Sequence, residues 1–110
     1  MHIRISRDDA QGLNWASKAA QQENSDGQTI RGAAFMDARG IPKDEVEAVR
    51  FFLKAAEQGN SRAQNRLGLA FEKGQGVVRD DVEAVKWYRK AAVQGKTDAQ
   101  NNLKRMGVSW

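Results

Sequence analysis

With 110 residues, of which 40% are hydrophobic and 29% charged, the chain has the length of one domain and the composition of an ordinary soluble fold, which argues against a disordered tail. The absence of cysteine excludes disulfides, thiol nucleophiles and thiolate metal sites, and no apolar run is long enough to span a bilayer. The net charge of +4, from 18 Lys and Arg against 14 Asp and Glu, is spread with both signs interspersed and no run of five basic residues, so a well-solvated surface is favoured over a nucleic-acid stripe.

The first helix starts at Asp8-Asp9-Ala10-Gln11 and runs to Gln22. Asp-x-x-Gln is a capping-box pattern: the Asp side chain accepts from the third helical N–H and the Gln reaches back, worth ~1 kcal/mol per cap. A second helix begins at Ser25-Asp26-Gly27-Gln28, which has the Ser/Thr-x-x-Gln form of the same device. After the turn Arg39-Gly40-Ile41-Pro42, a third helix starts at Asp44-Glu45-Val46-Glu47 and ends at Gln58 before Gly59, which supplies the left-handed conformation of a helix end. The fourth starts at Ser61-Arg62-Ala63-Gln64, with Ala63, Leu67, Ala70 and Phe71 as its apolar stripe and Arg62, Asn65, Leu69 and Glu72 opposite. Following the turn Gly74-Gln75-Gly76-Val77, a fifth runs from Asp80-Asp81-Val82-Glu83 to Gln94 and Gly95; Ala84, Trp87, Tyr88, Ala91 and Ala92 share one side of it. The sixth opens with Thr97-Asp98-Ala99-Gln100.

These elements recur at a fixed step. Trp15, Phe51 and Trp87 stand 36 residues apart, and Lys18-Ala19-Ala20, Lys54-Ala55-Ala56 and Lys90-Ala91-Ala92 keep the same offset. Two alternating helix types repeated without insertion predict an all-α solenoid of antiparallel helix pairs, a stack that offers a surface and encloses no reaction centre.

Candidate chemistry is sparse. His2, the only histidine, lies in a tail, so a zinc site or a His-dependent acyl transfer is not expected. Asp8-Asp9, Asp44-Glu45 and Asp80-Asp81 are explained by helix starts and not by acid–base work. Gly74-x-Gly76 lacks the Gly-Lys-Ser/Thr of a phosphate loop. Phe51, Phe52, Trp87 and Tyr88 fall largely on the packed side and not where bases stack. No catalytic residue, metal or cofactor is expected. Trp110 reads either as a lid folded over the last helix or as an exposed contact.

The run Ala63-x-x-x-Leu67-Gly68-x-x-Phe71-x-x-Gly74-x-Gly76-Val77-x-x-Asp80-x-x-x-Ala84-x-x-Trp87-Tyr88-x-x-Ala91-Ala92-x-x-Gly95 resembles the Sel-one-like repeat, a relative of the tetratricopeptide repeat. The resemblance implies a right-handed superhelix acting as an adaptor for proteins or peptides; bacterial members of the family include scaffold and assembly factors and immunity proteins. It divides the single domain 1–110 into an N-terminal half-repeat helix (8–24), a degenerate repeat (25–59), a well-formed repeat (61–95) and a C-terminal capping helix (97–106). The departures fall at the two ends. Gly27 and Arg31 stand where Ala63 and Leu67 stand one unit later, so either the earlier unit should be looser or Arg31 must reach solvent, with Ile30 partly replacing the missing leucine. Lys104 and Arg105 replace Gly68 and Leu69, and the lysine obstructs a further helix, which reads as a polar cap ending the stack.

The resemblance also places the second helix type on a concave inner wall. Its non-core positions are then Asp26, Thr29, Ala33 and Met36; Arg62, Asn65, Leu69 and Glu72; and Asp98, Asn101 and Arg105. The column Thr29, Asn65, Asn101 suits the backbone of an extended peptide, since an amide both donates and accepts. Arg62 and Arg105 suit a carboxylate, and Leu69 and Met36 suggest an apolar contact patch. Plain solvated surface is the competing reading of the same positions. The expected role is a non-catalytic scaffold for a protein or peptide. The alternatives are an immunity-type or inhibitor protein covering a partner enzyme, and nucleic-acid binding through Arg50, Lys54, Lys86, Arg89 and Lys90 on the outer helices. No membrane span is expected, the oligomeric state is open between monomer and weak dimer, and with no secretory h-region visible the cytoplasm is the default location, although a processed mature chain would look the same.

Overall fold

A computed structural model describes residues 24–38 and 43–110. The expected helix 8–22, the tail with His2 and the turn 39–42 lie outside the described residues. Five helices and no strand occur among the described residues: α1 over 24–37, α2 (Glu45–Glu57), α3 (Ser61–Lys73), α4 (Asp81–Ala92) and α5 (Thr97–Arg105). This is an all-α helical-repeat solenoid.

Helices α2 and α4 form as their sequences direct. Asp44 and Asp80 are extended N-caps whose carboxylates accept from the amides of Glu47 and Glu83, each at 3.1 Å. Glu47 and Glu83 do not turn back to the caps; they pair with Arg50 at 3.6 Å and Lys86 at 3.1 Å one turn on. Ala48, Val49, Phe52, Ala55 and Ala56 of α2, and Ala84, Trp87, Tyr88, Ala91 and Ala92 of α4, are buried on one face. Past their ends Gly59 and Gly95 take φ values of 93° and 92°, the left-handed conformation expected of them.

Helices α3 and α5 start differently from the expected Ser/Thr-x-x-Gln boxes. The cap of α3 is Asn60, one residue before Ser61, and its Oδ1 accepts from the amide of Ala63 at 3.0 Å. Lys96 occupies the corresponding place in α5 and makes no side-chain cap, while Ser25 already lies within α1. With the cap moved by one residue, the glutamine stands a residue too far into the helix to reach back. It crosses the turn instead: Gln64 Nε2 donates to the Ala56 carbonyl at 3.1 Å and Gln100 Nε2 to the Ala92 carbonyl at 3.0 Å. Each glutamine thus adds a second donor to a carbonyl at the C-terminal end of the preceding helix that already accepts from the amide of Gly59 or Gly95.

Successive units are joined by a second set of repeated bonds. Gln58 Nε2 donates to Gln28 Oε1 at 3.2 Å and Gln94 Nε2 to Gln64 Oε1 at 2.9 Å. The amides of Asp44 and Asp80 donate to the carbonyls of Phe35 and Phe71 at 3.0 and 2.9 Å. Close helix approach depends on glycine: a Cβ at Gly32 would stand 2.7 Å from the Phe52 ring, and one at Gly68 2.6 Å from the Tyr88 ring. One apolar cluster spans α1 to α3 and takes in Trp87; a second joins α4 to α5, and Phe71 packs against both.

The earlier unit departs from its successor as its sequence implies in one respect and not in another. Arg31 is exposed, as a residue in place of Leu67 must be. Ile30 does not compensate: it is 59% exposed, because its position on the helix corresponds to Arg66 and points away from the core.

Candidate partner-binding face

The expected inner positions sort into three groups. Thr29 and Ala33 are buried; the Thr29 hydroxyl donates to the Ser25 carbonyl at 2.7 Å, the use a helical threonine commonly makes of the preceding turn. Asn65, expected beside solvent, is only 7% exposed and accepts from Asn102 Nδ2 at 3.0 Å. The column Thr29, Asn65, Asn101 is therefore not an open ladder, and Asn101 alone of the three is exposed. For Asn65 the helical phase is responsible: it turns toward α5, the following helix of the same type, a contact that a single amphipathic wheel does not contain.

A second group is engaged within the chain. Glu72 receives Arg105 through two bonds of 2.7 Å, and Tyr88 Oη donates to the same carboxylate at 2.7 Å. The Arg105 guanidinium beside Glu72 holds its carboxyl below the usual carboxylate value; partial burial opposes this, and the Tyr88 hydroxyl and the charge of Lys73 reinforce it. Burial, and then the bond to Glu72, push the Tyr88 hydroxyl far above its ordinary value. Arg105, expected to grip a foreign carboxylate, already grips this one in a bidentate pair that ties α5 to α3. Arg62 is exposed at the start of α3.

The third group surrounds Leu69. This half-buried side chain is shared by two hollows. The first, about 280 Å³, lies between α1 and α3 and is lined by Met36, Asp37, Lys43, Arg66, Lys73 and Gln75, with Phe52 and Leu69 beneath. The second, about 290 Å³, lies toward α5 and is lined by Asn65, Asp98, Asn101 and Asn102 with Leu69. Met36 and Leu69 thus line the same hollow.

The sequence does not single out Asp37, Lys43, Arg66, Lys73 or Asn102 as inner positions. Arg66 and Lys73 were legible, since they stand three before and four after Leu69 and so share its helix face. Lys43, Asp37 and Asn102 come from other segments, and no local spacing announces them. On the outer helices, Arg50 and Lys86 are paired with their own glutamates, and Arg89 donates to the Ser109 carbonyl at 3.2 Å. Trp87 is buried beneath Lys86 and Lys90, whose ammonium groups stand 5.3 and 5.4 Å from its ring, so its face is closed to a stacked base. Trp110 is 57% exposed. Among the described residues no helix is long and apolar enough to cross a membrane.

Comparison with known proteins agrees with the fold. The family model of the Sel1 repeat matches residues 3–24, 25–60 and 61–96. Among solved structures, a Sel1 repeat protein from Oxalobacter formigenes is 44% identical with a TM-score of 0.71, over 74% of this chain and 33% of that one. The protective antigen c5321 of uropathogenic Escherichia coli, which displays an SLR fold, is 35% identical with a TM-score of 0.75, over 90% of this chain and 22% of its own. Helicobacter pylori cysteine rich protein B is 27% identical with a TM-score of 0.69, over 90% of this chain and 77% of that protein. The chain therefore spans about a third and about a fifth of the length of the first two. No functionally curated protein matches it.

Proposed function

The chain belongs to the Sel1 repeat family, and on that premise we propose that it is a non-catalytic scaffold that captures a protein or peptide segment along the wall formed by α1, α3 and α5. Families of stacked helical repeats present extended surfaces and bind through them, which supports an interaction role over a reaction. The observation that carries the reading is Leu69. It is an apolar side chain left half-exposed beside Met36, between two hollows wide enough for side chains of a bound segment. Asn101 and the rim amides offer donors and acceptors to its backbone.

Selection of a phage-displayed random dodecapeptide library on the immobilised chain tests this. Peptides enriched on the chain should lose at least about tenfold in affinity to Leu69→Ser and to Asn101→Arg, as expected for loss of a central contact. They should bind Val93→Ser unchanged, because Val93 is exposed on the outer helix α4. Equal losses at Val93, or none at Leu69 and Asn101, would reject the inner wall as the capture surface.

A further inference from the structure

The two hollows beside Leu69 differ in charge. Among the described residues three cations, Lys43, Arg66 and Lys73, line the hollow between α1 and α3, against one carboxylate, Asp37. Arg66 stands 3.8 Å from Asp37, and Lys43 is 3.3 Å from Glu45, which lies outside the hollow. Lys73 has Glu72 as its neighbour in sequence, but both oxygens of that carboxylate are held by Arg105 and Tyr88. Among the described residues the hollow toward α5 has no cation in its lining; it presents three asparagines and Asp98, whose exposed carboxylate stands 3.9 Å from Lys96, which lies outside the hollow.

Resting on the reading of the inner wall as a capture surface, we infer that the α1–α3 hollow takes the carboxylate of an acidic residue in a partner peptide, and that an adjoining apolar residue of that peptide covers Leu69. The positive charge that Lys73 adds beside the paired Lys43 and Arg66 selects the carboxylate, and the half-buried Met36 and Leu69 select a peptide over a bare anion. Asp98 repels a second acid on the far side of Leu69. The preferred segment therefore carries its acidic residue on one side of the apolar residue only, and this asymmetry fixes the direction in which it lies along the wall.

The dodecapeptides enriched on the full chain provide the test. They should align on an apolar residue with Asp or Glu concentrated to one side. Replacing that acid by its amide, or Lys73→Glu in the protein, should each weaken binding by about tenfold, and combining them should cost little more than either alone. Lys73→Gln should fall between, and circular dichroism should be unchanged for these exposed-site variants. Peptides enriched without an acid, acids on both sides, or indifference to Lys73→Glu would overturn the inference while leaving the capture surface intact if Leu69→Ser still abolishes binding. Displacement of the peptide by inorganic phosphate at equal charge would also overturn it, by assigning the hollow to a bare anion. Binding indifferent to Leu69→Ser, or no enrichment at all, would remove the capture surface itself.

Discussion

Ala38 ends α1 with a φ of 57°, in the position that Gly74 holds with a φ of 69° at the end of α3. A Cβ in the left-handed region costs roughly 1–2 kcal/mol. Ala38→Gly should therefore stabilise the protein by about 1 kcal/mol after the added freedom of the unfolded chain is counted, visible as a higher urea midpoint at unchanged slope. Two other glycines should respond in opposite directions. Gly27 is helical, and a Cβ added there would meet no atom of the described residues within 4 Å, so Gly27→Ala should gain about 0.5–1 kcal/mol from helix propensity. At Gly68 the same methyl meets the Tyr88 ring at 2.6 Å, and Gly68→Ala should cost roughly 1–3 kcal/mol. Thermal melts of the pair decide the matter, and like signs would contradict the packing described.

At the scale of the element, the alanine-rich faces of α2 and α4 were legible because burial there follows a 3.6-residue period that the sequence displays openly. Ala91 is wholly buried and Val93, two residues on, is 68% exposed. Ala91→Leu should accordingly lose roughly 1–3 kcal/mol by overpacking, with Val93→Leu within about 0.5 kcal/mol of the parent. Equal midpoints in denaturant for the two variants would mean that the phase is wrong. The starts of α3 and α5 were less legible. Ser61-x-x-Gln64 has the form of a capping box, but Asn60 caps and Gln64 spans to Ala56, because the turn sets the cap one residue early. A motif states which bonds are available and leaves the choice among them to the turn.

For the molecule as a whole, α5 is attached by polar ties as well as by its buried Ala99 and Leu103. Arg105 to Glu72 and Asn102 to Asn65 run from α5 to α3. Glu72 is held below its ordinary 4.5, so the stability it contributes is fully present above that value and is lost as pH falls through the lowered one. Tyr88 is raised above its ordinary 10.0, so its contribution is present below that value and declines as pH rises past it. Glu72→Gln should flatten the acid limb of stability against pH, and Tyr88→Phe the alkaline limb, in urea titrations across the range. An unaltered acid limb in Glu72→Gln would remove this carboxylate from the linkage.

The sequence by itself determined the helices, their two alternating types, the buried alanines and aromatics, and the glycines that permit close approach, since each follows from a period or a backbone requirement written locally. It also put Leu69 and Met36 at non-core positions of the second helix type. Tertiary structure decided that Thr29 and Asn65 are closed off, that Arg105 is occupied by Glu72, and that Lys43, Arg66 and Lys73 gather beside Leu69. Those outcomes depend on the angle at which one repeat meets the next, which arises from packing between distant segments and leaves no mark in the spacing of any one of them.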